Sequence, residues 1–173
     1  MLAPTLIVAV QVAQNVVFGI LAVVMVAAAF RLVTTQNVVR AALFLAIVLA
    51  GAAGLYILLA AEFVAWVQVL VYIGAVVVLL LFGVMLTRAP IGRDADLDNE
   101  QRLLAALVAL FLLGSLGAVL LDAFGDQEVG TIAIRRTAEV SDSIFGVFVI
   151  PFEVASVLLL AALVGAVALA RRD

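Results

Sequence analysis

The constraint that dominates this chain is a succession of apolar runs, each about twenty residues long and separated by short polar segments. Roughly 20 apolar residues in helical conformation cross the ~30 Å hydrocarbon core of a bilayer. Five such runs can be marked at 10–33, 38–61, 63–87, 103–121 and 147–170. A spanning backbone must satisfy its own hydrogen bonds, which leaves helices or a closed barrel. The runs are continuous, without the alternation a barrel strand requires, so the expected fold is an all-α bundle of five transmembrane helices. They leave no hydrophilic region long enough for a second domain, and no fixed-period repeat or low-complexity tract is visible. Residues 1–173 therefore read as a single membrane domain.

Composition then narrows the chemistry. Of the 173 residues 68% are hydrophobic and 12% charged, and the mean hydropathy is +1.40. Cysteine, histidine and lysine are absent. That removes disulfides, Cys/His zinc or iron-sulfur ligation and the usual haem histidine. Nucleophilic triads and histidine acid–base catalysis go with them. The sequence therefore offers no catalytic residue and no metal site of its own, and transport, scaffolding or assembly becomes the expected class. A formal charge of −3, with the acids gathered in two connecting segments, gives no basic footprint for nucleic acid.

All nine basic residues are arginines, and they sort unevenly. Arg31 and Arg40 flank the first connection, Arg88, Arg93 and Arg102 the third, and Arg171 and Arg172 the C-terminus. Five alternating helices put these on one side. Arg135 and Arg136 fall on the other, in the longest loop, where charge counts least for topology. The expected orientation is N-terminus outside and C-terminus cytoplasmic. The N-terminus has no arginine before Arg31, lacks a signal-peptide start, and reads as retained in the membrane. The connection at 88–102 reads as a charged cytoplasmic loop, and the segment near 122–146, with its alternating stretch 130–134, as a short strand or a chain lying flat.

Few residues within the spans could carry chemistry. Gln68 and Tyr72 are four apart and share a helical face, which Ala65 and Ala75 extend. Polar groups at mid-membrane depth are costly unless partnered, so this face should meet protein or water. A water-bearing path and interhelical glue are both open. Gly74 lies among the β-branched residues Val71, Ile73, Val76, Val77 and Val78, where α-helical propensity is lowest in the segment. A π-bulge there and a simple packing glycine are both open. Glu153, just after Pro151, is interfacial or proton-handling, and Glu62 is interfacial. Ala42, Ala46, Ala50 and Gly54, spaced by four, suggest a close packing face on the second helix. Gln11, Gln14 and Asn15 share a face of the first helix, suiting either a neighbouring helix or the membrane boundary.

The segment EFVAWVQVLVYIGAVVVLLLFGVML at 62–86 closely resembles the third helix of the J-type subunit of respiratory NADH:quinone oxidoreductase (complex I), the equivalent of mitochondrial chain 6. The pattern around Gln68, Val71, Tyr72, Gly74 and Ala75 carries the likeness. RAALFLAIVLAGAAGLYILLAAEF at 40–63 and PFEVASVLLLAALVGAVALARR at 151–172 extend it over roughly the whole chain, most weakly in the first helix and the long loop. One departure is Asn37-Val38-Val39, where that family commonly has Asn-Pro-Val, which puts the turn in question.

The resemblance implies a multi-pass subunit of the bacterial inner (cell) membrane, without a cofactor of its own. NADH, FMN, iron-sulfur clusters and quinone would belong to partner subunits. Those partners would be the quinone-binding H-type subunit and the A-type, K-type and N-type subunits. The implied role is to support the coupling of quinone reduction to proton pumping, through a gated water path along helix three. Tyr72 would supply a hydroxyl, Gly74 the backbone freedom and Gln68 solvation, with Glu153 a further proton-handling candidate. Competing expectations are a membrane subunit of a related cation/proton antiporter or membrane-bound hydrogenase, a small independent transporter, or a structural spacer.

Overall fold

The computed structural model describes residues 2–87, 101–126 and 136–171, with side chains from residue 10 onward except that of Arg102. All described elements are helical. The first is α1 (Leu2–Thr34), followed by α2 (Val38–Leu58). The third span joins α3 (Glu62–Val67), a π-helical segment (Gln68–Val77) and α4 (Val78–Leu86). Then come α5 (Arg102–Phe124), the short α6 (Thr137–Phe145) and α7 (Val149–Ala170). Five helices are long and apolar enough to cross a membrane: Val10–Thr34, Val38–Leu58, Glu62–Leu86, Leu103–Phe124 and Val149–Ala170. The five-helix, all-α expectation holds, with boundaries within a few residues of those read from the sequence. The expected loop at 88–102 lies almost wholly, and the alternating stretch 130–134 wholly, outside the described residues.

Local chemistry sets the ends of these helices. Arg31 sits in the last turn of α1, where a cation complements the negative end of the helix dipole. Asn37 caps α2, its side-chain oxygen accepting from the Arg40 N–H at 3.0 Å, so Val38 takes the first helical position. That is the place where proline is best tolerated, so the departure from Asn-Pro-Val leaves the turn intact. The end of α2 is a Schellman motif: Ala61 N–H bonds Tyr56 O at 2.9 Å and Ala60 N–H bonds Ile57 O at 3.0 Å. Its left-handed position is filled by Ala60 at φ 56°, where glycine is usual. Glu62, exposed in the first turn of the third span, sits at the favourable positive end of that helix.

The packed part of the chain is a three-helix unit with α2 at its centre, touching α1 on one side and the third span on another. Gly51 and Gly54 face α1. A Cβ on Gly51 would overlap the Met25 side chain, and one on Gly54 would lie 3.0 Å from a Leu21 methyl carbon. On the opposite face Ala42 and Ala53 are buried, eleven residues and about three turns apart. The stripe expected at Ala42, Ala46, Ala50 and Gly54 is corrected accordingly, because Ala50 is exposed. A strict four-residue spacing drifts around a helix of about 3.6 residues per turn, so it cannot stay on one face over three turns.

Beyond this unit the described residues make few contacts between elements. α6 touches α7 and the first turns of the third span, and the Phe145 and Phe152 rings meet edge to face at 5.1 Å across the bend at Gly146. Among the described residues α5 approaches no other element. The accessible surface is 14370 Å², whereas a compact globule of 18.1 kDa would expose about 8,000 Å². Nearly all the large apolar side chains of α5 and α7 are exposed, which in water would be untenable and in lipid or against other subunits is favourable.

Candidate functional site

The most unusual backbone among the described residues lies in the third span, where ten consecutive residues, Gln68–Val77, form a π-helix. Such geometry generally appears as single-turn bulges, often at functional positions. Its sequence explains why the α-helix gives way here. Val69, Val71, Ile73, Val76 and Val77 lose side-chain freedom against the preceding turn of an α-helix, and Gly74 adds the weakest non-proline helix former. At the entry the Gln68 N–H is shared between Ala65 O and Val64 O, and at the exit the Val78 N–H bonds Ala75 O. The ladder therefore widens inside the segment and tightens again at its end.

The wider turn changes which side chains face α2. Ala65, Gln68 and Val77 are buried and Ile73 is half-buried, whereas Tyr72 is 48% and Val76 51% exposed. The buried positions thus step by three, then five, then four. An uninterrupted α-helix would have continued the stripe through Tyr72 and Val76. The expectation that Gln68, Tyr72 and Ala75 share one face is corrected for this reason: Gln68 is buried, while Tyr72 and Ala75 are turned outward.

Gln68, 7% exposed, is the one buried polar side chain among the described residues. Its Nε2 donates to the Leu49 carbonyl of α2 at 3.5 Å, the outer limit for a hydrogen bond. The Tyr72 hydroxyl has no hydrogen-bond partner among the described residues, so its polar end is available to a neighbouring chain or water. Gly74 is exposed, and a Cβ there would meet only the Val69 carbonyl oxygen at 3.4 Å, an ordinary contact. The glycine is therefore not demanded by crowding in this arrangement. Any requirement for it must come from a change of backbone or from a neighbouring subunit.

Glu153 is not brought to this segment. It is exposed early in α7, and among the described residues α7 makes no close approach to the third span and touches only α6. Gln14 and Asn15 border a groove of about 240 Å³ between α1 and the end of α2, lined otherwise by Phe18, Leu55, Leu58 and Leu59. Among the described residues no group of three His, Cys, Asp or Glu side chains could hold a metal. Residues missed from the sequence are Ile73 and Val77, which are covered in place of the expected Tyr72 and Ala75. The β-branched run around them was the available signal, since it marks where the helical period is weakest.

Comparison with known proteins finds relatives over nearly the whole chain. F420H2 dehydrogenase subunit J of Methanosarcina mazei is 42% identical over 167 residues, covering 92% of each chain. NAD(P)H-quinone oxidoreductase chain 6 of Synechocystis is 39% identical, covering 92% of this chain and 82% of the relative. The chain 6 protein of Leptolyngbya boryana is 40% identical over 172 residues, covering 92% of this chain and 81% of the relative. Residues 28–169, from the end of the first span almost to the end of the last, match the family described as NADH-ubiquinone/plastoquinone oxidoreductase chain 6, and the chain belongs to that family.

Proposed function

We propose that this chain works as one membrane unit inside a proton-translocating NADH:quinone oxidoreductase, as a non-redox subunit that couples quinone reduction to proton movement through a gated water path beside helix three. The observation that carries the reading is the π-helical segment Gln68–Val77, with Tyr72 turned away from its own chain. A π-bulge is equivalent to one residue inserted into an α-helix. Returning it to α-helical register would rotate one part of the span relative to the other by about 100° and shift it by about 1.5 Å. Tyr72 and Val76 would then replace Ile73 and Val77 against α2. The hydroxyl would leave the partner-facing side, and the polar lining there would be broken.

The two registers differ in where a polar group sits. Burying the Tyr72 hydroxyl against α2 without a partner costs about 1–3 kcal/mol, a bias that partner contacts or redox-driven events next door can offset. Gln68 lies against α2 in the first turn of the segment, on the side away from Tyr72 in this register, and would hydrate the path from that face. Gly74 lowers the resistance of the backbone to the change of register, and Glu153 serves a separate proton-handling position contacted by other chains. With no cysteine or histidine available, the flavin, iron-sulfur clusters and quinone headgroup reside on partners, namely the H-, A-, K- and N-type subunits.

The arginine distribution supports an N-terminus outside and a C-terminus in the cytoplasm of a bacterial inner membrane. The exposed surface of α5 and α7 supports burial against those subunits. A second reading keeps the membrane role and changes the electron donor. It is favoured by the F420H2 dehydrogenase subunit among the relatives, since nothing in this chain selects a donor. These names support a dehydrogenase over the antiporter and hydrogenase alternatives.

The test is Gly74→Leu in the assembled enzyme, followed as protons translocated per electron. Expected is a lowered ratio with the complex intact. A normal ratio in a fully assembled variant would defeat the gating role.

A further inference from the structure

Between the end of α1 and the start of α2 lies an open cleft of about 710 Å³, lined by Arg31, Thr35, Gln36, Asn37, Arg40 and Phe44 among others. Arg31 lies in the last turn of one spanning helix and Arg40 in the first turn of the next, so the cleft sits at the level where hydrocarbon gives way to headgroups. Neither guanidinium has an acidic or hydrogen-bonding partner among the described residues, although both are exposed to the cleft. The neighbouring amides tell the same story. Asn37 takes the Arg40 N–H, but the N–H groups of Val38 and Val39, at the positive end of α2, have no partner among the described residues. Phe44, one turn deeper, supplies an apolar wall below the charged rim.

Two guanidiniums above an apolar wall, beside the open amide end of α2, form a receptor for a group that is anionic at its head and oily behind it. We infer that this cleft binds the phosphate headgroup of an anionic phospholipid, with the acyl chain running along Phe44. Arginine suits the role because its planar fork matches phosphate oxygens two at a time. The depth of the cleft favours a lipid phosphate over a soluble one, because an acyl chain delivers its headgroup to this plane and no other. The inference is independent of the gating of helix three, and either can fail without the other.

The test uses the assembled complex in nanodiscs of phosphatidylcholine doped with a photoactivatable phosphatidylglycerol, or with the matching phosphatidylcholine probe, and maps labelled chymotryptic peptides. Expected is preferential labelling of the 31–44 region by the anionic probe. Each cationic side chain near a membrane surface contributes about a fivefold gain in anionic-lipid binding, so Arg31→Gln/Arg40→Gln should lower labelling on the order of twenty-five-fold. Arg31→Lys/Arg40→Lys, which keeps the charge and loses the forks, should fall between wild type and the glutamine pair. It also serves as the well-assembled comparison if the glutamine pair is depleted from the complex. Equal labelling by the two probes would overturn the inference. So would labelling unchanged in both variant pairs. Loss of labelling on adding inorganic phosphate at constant ionic strength would assign the site to a free anion and equally overturn the lipid reading.

Discussion

Gln68 allows structural and functional roles to be separated, because its replacement by leucine should leave the fold almost unchanged. The side chain is 7% exposed and leucine fills a similar volume, so no large cavity opens. The interaction removed is a single contact to Leu49 O at 3.5 Å, and interhelical hydrogen bonds in membranes average only about 0.6 kcal/mol. Leu49 O lies inside α2, so its carbonyl keeps its place in the helical ladder when Gln68 is gone. The net change in stability of Gln68→Leu is therefore within about 1 kcal/mol of zero, whereas Gln68→Ala leaves a void costing about 2 kcal/mol. If the carboxamide orients water beside the π-segment, both variants remove the same donor, worth about 1–3 kcal/mol to the proton step. A tenfold fall in coupled turnover lies inside that range, since about 1.4 kcal/mol is tenfold. The measurements are assembly by native gel, thermal inactivation, and proton uptake per electron in proteoliposomes. Wild-type coupled turnover in Gln68→Leu would refute the water-path role. Failure of that variant to assemble would refute the packing argument and assign Gln68 to holding helices together.

Gly51→Leu should separate α1 from α2 by forcing a side chain into Met25, and Met25→Ala in the same chain should recover most of the lost assembly, read by native gel. Ala60→Gly should stabilise the assembled complex by about 1 kcal/mol, because a left-handed alanine is replaced by the residue that adopts that conformation without steric cost, and thermal inactivation reports it. Asn37→Ala removes the cap on α2 and should destabilise by about 1 kcal/mol, with Asn37→Ser close to wild type in the same assay.

The bilayer-crossing architecture was legible because it depends on runs of residue type, and lipid penalises any other arrangement of such runs. The capacity of the third helix for irregularity was legible too, from Gly74 and its β-branched neighbours. The side on which Tyr72 lands was not. One extra residue per turn is enough to exchange Tyr72 for Ile73 at the α2 contact, and sequence spacing read at about 3.6 residues per turn has no means of registering that insertion. Ala50 is a separate case, since the ordinary period of about 3.6 residues already carries a four-residue stripe around the helix and turns Ala50 outward. Glu153 illustrates a different limit: it is exposed on α7, which among the described residues touches only α6, so the third span gives it no neighbour to be read against.

The solitary position of α5 bears on how the complex is made. A crossing that, among the described residues, leans on no sister helix of its own acquires its surroundings as other polypeptides arrive, so its stability rises with their concentration rather than being fixed at translation. Synthesis out of step with those polypeptides would leave this crossing unescorted and open to membrane proteases. The supply of this chain in the cell would then be set by how fast its companions are produced.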